Sequence, residues 1–104
     1  MIKVSVLYPN QPGAKFDMRY YCDKHMPLVA DKLGAALRQA EVNAGVAGGA
    51  PGAPPPFVAM AHLSFDSVAA FQAAFGPVAD AIMGDIPNYT DIEPVIQISE
   101  IKSA

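Results

Sequence analysis

The nine residues Phe57 to Phe65, FVAMAHLSF, constrain the fold more than any other stretch of the chain. This short apolar run, between a Gly/Pro-rich stretch and the Asp66-Ser67 pair, reads as a strand. Alternate positions on both of its faces are apolar, so both faces need cover. The chain has only 104 residues, and a domain of that size buries about 60–65 % of the surface its unfolded chain exposes. Hydrophobic residues make up 52 % and charged residues 16 %, against a usual charged share of about 25 %. The apolar supply exceeds what one small fold covers, which predicts a homo-oligomer.

The remaining elements follow from period and punctuation. Residues 2–9, IKVSVLYP, read as a strand with Ile2, Val4, Val6 and Tyr8 on one face and Lys3, Ser5 and Leu7 on the other. The turn cluster PNQPG ends it. Asp17 then caps a helix, with Phe16 placed to pack back on Tyr20 or Tyr21. Met18, Cys22, His25, Val29 and Leu33 follow helical spacing on one face, and Gly34 is a natural stop. Pro27 interrupts this helix. It removes a donor from the carbonyl of Asp23 and biases Met26 away from helical geometry. A kink is expected, or a helix that ends near His25 and resumes for a turn or two.

Residues 36–44, ALRQAEVNA, alternate as a strand, with Gln39, Glu41 and Asn43 on one face and Ala40, Val42 and Ala44 on the other. GVAGGAPGAPPP is a long loop within one domain. Beyond the 57–65 strand, Ser67 or Asp66 caps a second helix carrying Val68, Phe71, Phe75, Val78 and Ile82 on one face, broken at Gly76-Pro77. A loop, GDIPNYTD, leads to a last strand over 92–101, with Pro94 near its start. The order β-α-β-β-α-β defines an α+β, ferredoxin-like fold over residues 1–104, a four-stranded antiparallel sheet with both helices on one face. A second copy of the same sheet is the simplest cover for the other face, and two packed sheets would leave a lined space between them.

Composition excludes several functions. Net charge is −3, without charge runs or a basic stripe, which argues against nucleic acid. One cysteine precludes an internal disulfide and fits a reducing compartment. The N-terminal MIKVSVLYPN lacks the features of a signal peptide, and no apolar run approaches the ~20 residues of a membrane span. A cytoplasmic protein is the expectation. With no phosphate-binding glycine motif, paired-cysteine pattern or nucleophile elbow, no cofactor is expected.

The chemistry-bearing residues concentrate in YYCDKHMP, residues 20–27. His25 sits where the helix is interrupted. The carbonyl end of a helix favours its imidazolium and burial opposes it, leaving a group fit for acid–base work. The structural alternative is that His25 only caps the broken helix. Tyr21 is one turn earlier and within reach of the imidazole, to orient it or to donate to a substrate oxygen, unless it merely packs on the sheet. Tyr20 points about 100° away and reads as packing or surface. Cys22 could meet His25, but no third orienting group is evident and a buried, inert thiol is the plainer reading. His62 is either a satisfied structural histidine or, if it faces the lumen, a second acid–base or binding group. Two histidines with Asp85 or Asp91 form a weaker metal idea, without recognisable ligand spacing. The stretch DIPNYTD places Asp85, Asn88, Tyr89 and Asp91 in one loop, as turn chemistry or as the mouth of a site. Glu41 reads as part of a solvated edge face.

YPNQPGAKFDMRYYCDKHMPLV (8–29), FDSVAAF (65–71) and DIPNYTDIEPVIQISEI (85–101) together resemble the EthD family, which takes its name from ethyl tert-butyl ether degradation clusters. The resemblance runs nearly end to end. It implies the dimeric α+β barrel superfamily, in which two ferredoxin-like subunits pack sheet to sheet. Superfamily relatives include cofactor-free monooxygenases, lactone isomerases, polyketide cyclases and ligand binders. EthD members accompany an ether-cleaving cytochrome P450 system, but no one reaction belongs to the family. The family motif's histidine matches His25.

Two functions stand open from these readings. One is a cofactor-independent acid–base enzyme of a degradative (ether or xenobiotic) pathway, acting on a small apolar carbonyl, lactone or enol compound held in the barrel of the dimer. In it His25 and Tyr21 are catalytic, and His62, Tyr89, Asp85 and Tyr8 contact the ligand. The other is a non-catalytic binding or accessory protein of a cytochrome P450 monooxygenase system. The expected partners are a second copy of the chain and a small apolar molecule, with neither nucleic acid nor membrane.

Overall fold

The computed structural model describes all 104 residues. Four strands form one sheet: β1 (Ile2–Pro9), β2 (Gln39–Ala44), β3 (Phe57–Phe65) and β4 (Val95–Glu100). Their order is β2-β3-β1-β4, every neighbouring pair antiparallel, as the ferredoxin-like order requires. β1 and β3 span the residues read from the sequence. β4 is shorter than expected, because pairing starts only after Pro94, which has no N–H to offer a ladder. β2 likewise starts at Gln39, behind a 3₁₀ turn over Gly34–Ala36.

Register assigns the two faces. Val4 pairs with Leu63, Val6 with Ala61 and Tyr8 with Ala59, and these residues lie under the helices. On the other face Ser5 pairs with His62, flanked by Glu41 on β2 and Gln97 on β4. No helix of this chain covers that second face. It is also less apolar than the strand pattern suggested: Leu7, Met60 and Val95 share it with Lys3, Ser5, His62 and Gln97.

The first helical segment departs from its expected shape in an informative way. A short α1 (Met18–Tyr20), capped by the Asp17 carboxylate on the Tyr20 N–H, leads directly into a π turn over Tyr21–His25 and then α2 (Met26–Leu33). Met26 keeps helical dihedrals, φ −65° and ψ −39°, so Pro27 does not displace its predecessor. The chain absorbs the proline by widening one turn instead: the Met26 N–H bonds the Tyr21 carbonyl, five residues back. Pro27 falls in the first turn of α2, where a missing N–H costs little.

That wider turn also changes which side chains face inward. Tyr21 and His25 are buried, whereas Cys22 is exposed, correcting the expectation of a buried thiol on the same face. The native protein should therefore react with one equivalent of a thiol reagent without denaturant, at a rate close to that of the unfolded chain. A thiol count of zero before unfolding would contradict the register of this turn.

The second helical segment is α3 (Val68–Phe75), capped by the Ser67 hydroxyl on the Ala70 N–H, then a 3₁₀ turn over Gly76–Val78 and α4 (Ala79–Gly84). Gly76-Pro77 breaks it as read. Both helical segments pack on one face of the sheet, over two buried clusters, one largely aliphatic around Val4, Val29, Leu33 and Leu63 and one aromatic around Tyr8, Tyr21 and Tyr89. No helix is long and apolar enough to cross a membrane.

Candidate functional site

Two distant segments are sewn together at the aromatic cluster. The Asp17 N–H donates to the Tyr89 carbonyl, the Lys15 N–H to Asp91 Oδ1 and the Thr90 hydroxyl to the Lys15 carbonyl, with a bridge between Phe16 and Thr90. Asp91 is thereby committed to the backbone of Lys15. The loop over 85–91 thus fixes the start of the first helix, and turn chemistry and site building coincide.

Asp85, next to the 3₁₀ turn Ile86–Asn88, is brought against His25 by this arrangement. Its Oδ2 accepts from His25 Nδ1 at 2.9 Å. Its Oδ1 accepts from the Tyr20 hydroxyl at 2.7 Å and from Asn88 Nδ2 at 2.9 Å. The carboxylate is held in one orientation by donors on both oxygens. Burial pushes its acidity toward the neutral form, but the hydrogen bonds from Tyr20, Asn88 and His25 outweigh that, and the group stays below the ordinary carboxylate value. Asp85 therefore faces His25 as an anion, an acceptor only, so the proton between them sits on Nδ1.

His25 is 5 % exposed. Its ring stacks on Tyr21, with centroids 5.5 Å apart and planes 14° apart, and leans on Tyr89 at 4.7 Å. Residues four apart on a helical turn lie on one side of it, which brings these two rings together. Nε2 makes no hydrogen bond within the chain and is not occluded, and His25 is one of the residues that line the adjoining cavity.

The cavity lies between the sheet and the helices of one chain, not in the space expected between two packed sheets, because its strand residues, Val4, Val6 and Tyr8 among them, are on the helix-covered face. It measures about 280 Å³ and is lined by 17 residues, 15 of them hydrophobic. Tyr8, Tyr21 and His25 are the lining residues with polar side chains, and Val29, Leu33, Phe71 and Phe75 are among its apolar walls. The Tyr8 hydroxyl hydrogen-bonds that of Tyr89 at 2.6 Å. Burial raises all three phenols, Tyr8, Tyr21 and Tyr89, so each stays protonated and able to donate.

Of the residues singled out from sequence, His25, Tyr21, Tyr8 and Asp85 meet at one place. Tyr89 joins them as a backing wall for His25 and Tyr8 rather than as a lining residue. His62 does not join them. It lies on the opposite face of the sheet, where its Nδ1 is 2.8 Å from the Ser5 hydroxyl, so the two histidines share neither a ligand nor a metal. No three His, Cys, Asp or Glu side chains converge as metal ligands would. Tyr20, set aside as packing or surface, holds Asp85 and stacks on Tyr89. The Asp85–Asn88 contact spans three residues and follows from Asp-x-x-Asn spacing, whereas the Tyr20–Asp85 contact spans 65 and left no local trace.

Fold and site together define a ferredoxin-like α+β domain with a histidine–aspartate pair at one end of an apolar cavity. The EthD domain model matches residues 13–93, and the chain belongs to the EthD family. Its fold is similar to that of an EthD-like protein from Ralstonia eutropha JMP134, 53 % identical, over 98 % of this chain and 92 % of that one, with a TM-score of 0.94. An EthD family protein from Bacillus halodurans C-125 is 20 % identical, with 97 % and 98 % of the chains covered and a TM-score of 0.67. A protein from Arabidopsis thaliana is 12 % identical, with 100 % and 98 % covered and a TM-score of 0.71. The last two similarities show the fold alone. None of the curated proteins compared matches the chain.

Proposed function

We propose that the protein is a cofactor-independent acid–base enzyme acting on a small apolar carbonyl, lactone or enol compound bound in the cavity. One observation carries the reading: an imidazole whose Nδ1 is bound to a half-buried, ionised Asp85 keeps Nε2 free of any protein partner at the wall of an otherwise apolar cavity. A lone histidine at a helix break would need no such partner. In this reading Nε2 takes a proton from the substrate, Asp85 balances the imidazolium, and the phenols of Tyr8 and Tyr21 donate to the developing oxyanion. Tyr89 and Tyr20 hold the rings and the carboxylate in place. General acid–base catalysis of this kind is worth about 10²–10⁴ in rate.

Membership of the EthD family and the name ethyl tert-butyl ether degradation carried by one similar protein support a role in ether or xenobiotic breakdown. The uncovered sheet face supports a homodimer, and the cavity is independent of it, lying on the other face. A second reading is a binding or accessory protein of a monooxygenase system, favoured by the 15 hydrophobic residues among the 17 that line the cavity. A screen of small carbonyl, lactone and enol compounds, run on wild type and His25→Ala, separates the two. Turnover that falls at least about a hundredfold in the variant, with binding kept, supports the enzyme. Equal binding by both proteins with no turnover by either rejects it in favour of the binding protein.

A further inference from the structure

The cavity has a direction. Tyr8 and Tyr21 belong to the aromatic cluster, and Val4, Val29 and Leu33 to the aliphatic one. Val4 and Tyr8 are about 13 Å apart along their strand, and Tyr21 and Leu33 about 18 Å apart along their helix. The polar side chains of the lining, Tyr8, Tyr21 and His25, therefore gather at one end. The rest is hydrocarbon, including the stacked rings of Phe71 and Phe75, 5.3 Å apart.

No lysine or arginine lines the cavity, and the charged group nearest the imidazole is the Asp85 carboxylate behind it. A carboxylate or phosphate ligand would lose its water, meet no cation and face an anion across one ring. A neutral molecule avoids that cost. If it carries a weakly acidic proton, the site can still generate an anion internally: the ligand's O–H or C–H bond breaks, its electron pair stays on the ligand, and the proton bonds to Nε2. The new anion then faces the new imidazolium N–H, Asp85 neutralises the ring from behind, and total charge is unchanged. Resting on the acid–base reading of His25, we propose that the site selects uncharged molecules bearing one weakly acidic O–H or activated C–H at one end of an apolar body, and rejects permanent anions.

The probes are 4-propylphenol, 4-propylbenzoate and 4-propylanisole, which share a body and differ in acidity and charge, titrated calorimetrically into wild-type protein at neutral pH. The phenol is expected to bind at least about tenfold more tightly than either of the others. In His25→Gln the advantage over the anisole should vanish while anisole affinity persists. Bound 4-nitrophenol should show its phenolate band at a pH where the free compound is uncharged, and should not in His25→Gln or Asp85→Asn. Benzoate binding that equals phenol binding overturns the proposal, as does equal anisole binding, an unshifted nitrophenol spectrum, or no binding of any probe. Phenol selectivity without turnover of any screened compound supports this inference while removing the enzyme reading. Turnover of an anionic compound overturns the inference and leaves the acid–base reading standing.

Discussion

Asp85→Asn is expected to lower turnover by about 10²–10⁴-fold while leaving affinity for a neutral ligand within a few-fold. The substitution is nearly isosteric, so its effect comes from proton placement. Tyr20 and Asn88 both donate to Oδ1, which fixes the carbonyl oxygen of an asparagine on that side. Its amide nitrogen then occupies the place of Oδ2 and donates to His25 Nδ1. Nδ1 must become the acceptor, and the imidazole proton moves to Nε2, where it points into the cavity in place of a lone pair. A base becomes a donor without any atom moving far. Tyr20→Phe is the milder control, since it removes one donor from Asp85 without reversing any. Steady-state kinetics on the compound found by screening checks this. An asparagine variant with unimpaired turnover would show that Asp85 does not set the tautomer.

Alkaline unfolding should be abrupt. Tyr8, Tyr21 and Tyr89 are 1 %, 1 % and 0 % exposed. Burial raises each phenol above its ordinary value of 10.0. The folded state thus holds protons that the unfolded chain releases once pH passes 10, and stability falls as pH rises. Below that value their contribution is intact. Above it, Tyr21 and Tyr89 each cost about 1.4 kcal/mol of stability per pH unit, and Tyr8 acts in the same direction. Against a total of about 5–15 kcal/mol for a native domain, two units of alkali are enough to endanger the fold. Tyrosinate absorbance from these residues and loss of the circular dichroism signal should therefore appear together in one step. Gradual ionisation with the fold intact would mean that the aromatic cluster admits solvent. Asp85 works in the opposite range: held below the ordinary 3.8, it stabilises the fold above that pH and loses its contribution as acid titrates it.

Much of this was legible in the residues, for identifiable reasons. β1 is legible from its strand-forming residues and the turn cluster that ends it, β3 as a short apolar run between turn clusters, and the break at Gly76-Pro77 from its own chemistry. His25 and Tyr21 were legible as neighbours because four residues bring side chains together on any helical turn. The exchange of Tyr21 for Cys22 on the buried face was not, because a π turn alters the period on which such counting rests. Pro27 signalled a disturbance, but a proline does not say whether a helix bends, stops or widens. His62 stayed ambiguous because β3 is apolar on both faces, and only its pairing with Ser5 and Glu41 resolves which side it takes. The partnership of His25 with Asp85 joins residues 60 apart in the chain, and no local pattern encodes a contact of that range. Two motifs could be seen separately; that one orients the other could not.

The most direct test of the account is the protonation of the His25 ring. Nitrogen-15 NMR of imidazole-labelled protein, run on wild type with and without a neutral phenol, distinguishes the two ring nitrogens. The account predicts a proton on Nδ1 of His25, protected by Asp85, with Nε2 the nitrogen whose shift responds to ligand. A proton on Nε2 in the free protein, or an Nε2 resonance indifferent to a ligand bound in the cavity, would contradict it.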